Sequence, residues 1–192
     1  MSFIRRPVGA VYVALWIVWW VVTSLGRQTG APSGYDRTQR VIVMAMSLVS
    51  VPLLIVGPPW EYAHLAGPIP RDGPLAWIGL ALFAAGIAVQ AGAMWALYGM
   101  YTVRLGMQPG HHLIANGPYR LVRHPGYLSY IVSITGIGLA LSSLVGLGLV
   151  ILVLPFILWR IQHEEEMLVA EFGEEYQTYR RETKWRLIPL VY

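Results

Sequence analysis

Apolar residues in this chain fall in long runs, separated by short polar stretches rich in glycine and proline. A helix needs about 20 apolar residues to cross a hydrocarbon core of about 30 Å. Val8 to Leu25 approaches that length, and Leu75 to Leu97 meets it. A shorter run from Val41 to Val56 ends at Gly57-Pro58-Pro59, which reads as a helix stop. From Tyr127 to Ile161 the apolar stretch is about twice one span, with Ser142-Ser143 near its middle. Two helices joined by a tight turn account for it. The pattern predicts an all-α integral membrane protein, one membrane domain over residues 1–192. Its five transmembrane helices are expected at about 8–25, 41–57, 75–97, 126–142 and 144–161, the last two forming a helical hairpin.

Composition supports the lipid-facing reading. The chain is 56% hydrophobic and 12% charged, too little charge to cover the surface of a small soluble globule. Eight Trp and eleven Tyr suit residence at the headgroup level. Arg5 and Arg6 precede the first run as they would in a secretory signal. That run is longer than a signal's apolar region and ends without a small-x-small cleavage site, so it is expected to stay as a helix. The chain has no cysteine, which excludes disulfides, thiolate metal sites and cysteine nucleophiles. The net charge of +4 comes from basic residues scattered beside apolar runs. Contact with anionic lipid is expected, and no nucleic acid.

With five spans, eleven of the 14 Lys and Arg residues fall on the side of the C-terminus and three on the other. The positive-inside rule then places the C-terminus in the cytoplasm and the N-terminus outside. The unusual polar residues lie on the cytoplasmic side, at 99–127 and 160–189.

The first of these clusters runs from His111 to Tyr127. Asn116-Gly117-Pro118 marks a turn, and Pro125 suits the first turn of a helix. Arg123 and His124 therefore sit at a helix mouth, where free N–H groups favour an anion, or they snorkel to the interface. His111-His112 lacks carboxylates at ligand spacing, so no metal is expected. The second cluster begins with Pro155, which should kink the helix. Arg160 follows within apolar sequence, then Gln162-His163-Glu164-Glu165-Glu166. An ionisable residue at such depth is a functional candidate. On a continuous helix Glu164 shares the face of Arg160, and Glu165 is rotated about 140° away. Leu168, Phe172, Tyr176 and Tyr179 then form an apolar stripe. It predicts a C-terminal cytoplasmic helix packed against the membrane domain, with Gly173 as a point of interruption.

Taken together, these motifs resemble the isoprenylcysteine carboxyl methyltransferase and phospholipid methyltransferase group of membrane enzymes. The matching segments are Ile114 to Tyr119, Arg123 to Tyr127, Arg160, Glu164-Glu165, Phe172 to Tyr179 and Pro189, all within about residues 95–192. The resemblance implies a methyltransferase using S-adenosylmethionine, released as S-adenosylhomocysteine, and acting on a lipid-like or prenylated acceptor at the cytoplasmic face. It implies donor contacts from His111, Leu113, Ile114, Tyr119, His124, Pro125, Gly126, Tyr127 and Glu165. The substrate-facing arginine corresponds to Arg160. The group's carboxylate spacing favours Glu165 over the Glu164 that helix geometry selects, and a bend near Gln162-His163 would reconcile the two. Ser129 stands where the group often has glycine. Competing readings are a phosphatidylethanolamine N-methyltransferase, an NADPH-dependent membrane reductase and a non-enzymatic membrane protein. The acceptor's identity and the oligomeric state stay open.

Overall fold

A computed structural model describes residues 6–25, 37–65, 67, 70–97 and 113–192, without the side chains of 37–43 and 47. Among these residues every regular element is a helix. The order is α1 (Pro7–Leu25), α2 (Arg37–His64), α3 (Pro74–Ala96), α4 (Pro125–Ala140), α5 (Leu144–Phe172) and α6 (Glu174–Glu182), with a 3-10 turn at Gly117–Arg120 before α4. Four helices are long and apolar enough to cross a membrane: α1, α2 from Met44 onward, α3 and α5. The 16-residue α4 is a shorter apolar helix.

Helices α3 and α4 form the centre, and small residues allow their backbones to meet. A Cβ on Gly79 would lie 2.6 Å from the Gly136 carbonyl, and one on Gly136 would lie 2.5 Å from the Phe83 nitrogen. Helix α1 packs on α3, with Tyr12 and Trp16 rings 6.2 and 5.6 Å from Phe83. Helix α2 packs on α5. The expected hairpin turn is present: α4 ends at Ala140, α5 begins at Leu144, and Ser143 caps α5 by accepting from the Gly146 N–H at 2.9 Å.

Two boundaries differ from the sequence reading. Helix α2 does not stop at Gly57-Pro58-Pro59 but continues to His64. A proline removes one backbone hydrogen bond, a loss tolerated where neighbouring helices and side chains compensate. Compensation comes from the extension: the Glu61 carboxylate accepts from Ser143 Oγ and, at 3.0 Å, from the Val145 N–H, while Tyr62 donates to Asp72 at 3.0 Å. Helix α5 likewise continues past residue 161 to Phe172. The second polar cluster therefore rides on the same helix as the apolar span, with no break at Gln162-His163. Gly173, at φ +51°, ends α5 and turns the chain into α6.

Candidate active site

The approach to α4 is fixed from two sides. Gly117 adopts φ +57°, which an L side chain rarely allows, and opens the 3-10 turn. The carbonyl of Tyr119 in that turn accepts from the Tyr179 hydroxyl of α6 at 2.7 Å. Beyond it, the Arg123 and His124 N–H groups donate to the Trp185 and Arg186 carbonyls at 2.9 and 3.0 Å. The segment after α6 thus lies alongside the helix mouth as a two-residue strap. It is held there by Leu187, 1% exposed and part of the main apolar core.

Arg123 and His124 are buried, and the two acidic residues of α5 face them differently. Glu165, 4% exposed, is the inner hub. Its Oε1 accepts from Arg123 Nε at 2.8 Å and lies 3.3 Å from His124 Nε2. Its Oε2 lies 3.2 Å from Arg186 and 3.9 Å from Arg180. Arg123 also donates to the Thr183 and Lys184 carbonyls at 2.8 and 3.0 Å, so its guanidinium ties α5, the helix mouth and the strap together. Glu164 belongs to a second chain of contacts. Its Oε2 accepts from the Tyr127 hydroxyl at 2.9 Å, and that hydroxyl accepts from Arg160 Nε at 2.6 Å. His124 Nδ1 is 3.8 Å from the same Glu164 oxygen, so the imidazole stands between the two carboxylates.

Beside this second chain is a cavity of about 410 Å³, within the range of small-molecule sites. Its polar end is formed by Tyr119, Arg123, His124, Tyr127, Arg160 and Glu164. Its apolar part runs between the helices, past Trp19 of α1, Met46 and Val51 of α2, Met94 of α3, and Val153 and Ile157 of α5. One chamber therefore joins a charged mouth to a greasy interior, and it can hold a polar molecule against a lipid-like one.

Of the residues expected at the site, Tyr119, His124, Pro125, Gly126, Tyr127 and Arg160 line this cavity. Leu113 and Ile114 are half-buried and are not among its lining residues. His111 lies outside the described residues. Glu165 is also absent from the lining, whereas Glu164 is present, four residues after Arg160 and on its face as helix geometry expects. Three contributors went unrecognised in the sequence. Arg186 and the strap carry no periodic signal, and Tyr176 and Tyr179 read as packing. Burial raises both phenols above their ordinary value, supported at Tyr176 by the Glu165 charge and opposed at Tyr179 by Arg123. Among the described residues no group of three or more His, Asp or Glu could hold a metal ion.

Comparisons with known proteins point to one family. Residues 77–170 match the model of the Isoprenylcysteine carboxyl methyltransferase (ICMT) family. The "Probable protein-S-isoprenylcysteine O-methyltransferase" of Oryza sativa subsp. japonica is 36% identical over 80 residues, 41% of this chain and 42% of that protein. The "Protein-S-isoprenylcysteine O-methyltransferase" of Schizosaccharomyces pombe is 38% identical over 82 residues, 42% of this chain and 34% of that protein. The matched stretch is thus less than half the length of these relatives. A solved structure of the eukaryotic intramembrane Ras methyltransferase ICMT superposes with a TM-score of 0.65 at 19% identity, over 99% of this chain and 70% of that one. The likeness in fold therefore extends across the first two helices, which carry no sequence motif.

Proposed function

Proceeding from a chain whose residues 77–170 carry the isoprenylcysteine carboxyl methyltransferase pattern, we propose that it is a membrane methyltransferase. It takes S-adenosylmethionine from the cytoplasm and a prenylated or similarly lipophilic acceptor from the bilayer. The observation that carries this reading is the cavity that joins Arg160, Tyr127 and Glu164 to an apolar chamber between the helices. In this reading α4 is the fourth of five crossings of one membrane domain, the N-terminus lies outside, and the C-terminus and active site face the cytoplasm.

The residues present fit such a donor. Its amino-acid end needs a carboxylate for the ammonium, and Glu164 supplies one at the cavity wall. Its carboxylate suits a helix mouth, and the α4 N-terminus opens at Pro125 and Gly126, which line the same cavity. When bound, S-adenosylmethionine supplies a methyl group on a sulfonium, open to in-line attack. Tyr119, His124, Pro125, Gly126 and Tyr127 form the donor side. His111, Leu113 and Ile114 complete it by analogy with the family.

Arg160 holds the acceptor's carboxylate through its guanidinium, whose planar N–H groups match a carboxylate. Tyr127 fixes that guanidinium by accepting from Nε. An acceptor carboxylate needs no base, because no proton leaves it on methylation. The residues are asked instead to position and to exclude water, and the apolar wall from Val153 to Ile157 serves that end. Glu165 acts through other groups: it holds His124 and Arg123 in place and is a positioning residue.

Calorimetric titration with S-adenosylhomocysteine, followed by methylation of S-farnesyl-N-acetylcysteine, tests the proposal. Saturable binding and transfer to the free carboxylate, with none to the corresponding amide, is the expected result. Transfer to phosphatidylethanolamine alone would reassign the acceptor. Binding of NADPH in place of S-adenosylhomocysteine would overturn the reading.

A further inference from the structure

The apolar part of the cavity holds a polar cluster. On α3, Gln90, Met94 and Leu97 share one face, and all three line the cavity. Gln90 lies two turns before Leu97, roughly 10 Å deeper at the helical rise, with the apolar Met94 between. Its side-chain oxygen accepts from the buried Ser129 hydroxyl of α4 at 2.5 Å. That hydroxyl is also 2.7 Å from the Gly126 carbonyl. Ser129 and Gly126 line the cavity as well, so the whole cluster borders the space a ligand would fill.

Joining α3 to α4 does not require this pair. One turn deeper, Gly86 already brings the backbones together, since a Cβ there would lie 2.9 Å from the Ser129 carbonyl. A few polar groups set in an apolar pocket are what fixes a ligand's orientation and identity. The cluster can also exchange partners without loss. Ser129 has one proton and two acceptors within reach. When it turns to Gly126, the Gln90 oxygen can take a different donor. That oxygen is close to the expected acceptor carboxylate. Ser129 is two residues beyond Tyr127, roughly 3 Å along α4, and the Tyr127 hydroxyl touches Arg160. An acylated amino acid carries an N–H on the carbon that bears its carboxylate. A plain fatty or isoprenoid acid carries no such donor.

We propose that Gln90 reads the acceptor's amide. Its side-chain oxygen accepts from the N–H next to the reacting carboxylate, while Ser129 turns its proton to the Gly126 carbonyl. The chamber thereby selects lipophilic N-acylated amino acids over fatty or isoprenoid acids. The inference rests on the methyltransferase reading above and narrows the class of its acceptor.

The test is calorimetry on the detergent-purified full chain, saturated with S-adenosylhomocysteine and titrated with two acids. S-farnesyl-N-acetylcysteine carries the amide, and S-farnesyl-β-mercaptopropionic acid is the same molecule without it. The parent should bind the first about fivefold or more tightly, as expected for one added hydrogen bond. Gln90→Met, or Gln90→Leu should that variant not fold, should bind the two acids equally. Its affinity for the amide-free acid and for S-adenosylhomocysteine should match the parent's. Ser129→Ala keeps the Gln90 oxygen and should retain the preference. Equal affinities in the parent, a preference retained without Gln90, or equal loss of both acids would overturn the inference. Weaker S-adenosylhomocysteine binding in a Gln90 variant that melts like the parent would also overturn it, by assigning Gln90 to the donor. Failure of the parent protein to bind S-adenosylhomocysteine would instead remove the methyltransferase reading on which it rests.

Discussion

The hydroxyl of Tyr127 on α4 accepts from Arg160 Nε at 2.6 Å and donates to Glu164 Oε2 at 2.9 Å, so one phenol couples a cation and an anion one turn apart on α5. Tyr127→Phe keeps the ring and removes both bonds. Misplacement of a positioning group by an ångström can cost about a hundredfold in rate. We therefore expect turnover to fall roughly ten- to hundredfold, together with a weaker hold on S-adenosylhomocysteine, because Glu164 also loses its Tyr127 bond. Single-turnover rates compared with calorimetric affinity will check this.

Glu164 and Glu165, adjacent in sequence, should respond differently to the same substitution. Glu164→Gln alters the cavity wall and is expected to lower donor affinity while leaving the fold intact. Glu165→Ala leaves the buried Arg123 without its carboxylate, and losing one partner of a buried pair costs roughly 3–5 kcal/mol. A melting curve in detergent will separate them: a large shift for Glu165→Ala and a small one for Glu164→Gln. The reverse order would exchange their roles.

Alkaline pH should weaken the dock of α6. Tyr176 and Tyr179 are both held above the ordinary phenol value of 10.0, chiefly by burial. The folded protein therefore binds these protons more tightly than the unfolded chain. Stability from this source is fully present below pH 10 and is lost as pH rises beyond it. Unfolding free energy measured upward from pH 9 should fall more steeply in the parent than in the Tyr176→Phe, Tyr179→Phe double variant.

Gly79→Ala should destabilise the α3–α4 pair. Its Cβ would fall 2.6 Å from the Gly136 carbonyl, backbone against backbone, with no flexible side chain to yield. Overpacking of this kind costs about 1–3 kcal/mol. Gly148→Ala is the control, since a Cβ there meets nothing within 4 Å. Matched melting curves of the two variants decide the point.

Much of the fold was legible because its signals are local. Apolar runs marked α1, α3 and both arms of the hairpin, and Ser142-Ser143 marked the turn between them. Gly57-Pro58-Pro59 misled because local chemistry favours a stop there, whereas Glu61 and Tyr62 gain partners 82 and 10 residues away by continuing the helix. The site was legible in part for the same reason. Four-residue spacing put Glu164 beside Arg160, and family spacing singled out Glu165. The unbroken α5 carries both, since the two carboxylates serve different partners. The strap left no trace in the sequence, because backbone pairing of residues 123–124 with 185–186 depends on no side-chain pattern.

That pairing has a consequence for synthesis. Among the described residues every apolar helix precedes residue 173, so α6 and the strap are made after all of them. The helix mouth, however, gains its backbone partners only once Trp185 and Arg186 have been made, and the strap is anchored by Leu187 in the main apolar core. The membrane helices and the backbone support of the helix mouth therefore come from separate stretches of the chain. A chain trimmed before the strap would keep every apolar helix and lose the backbone partners of Arg123 and His124.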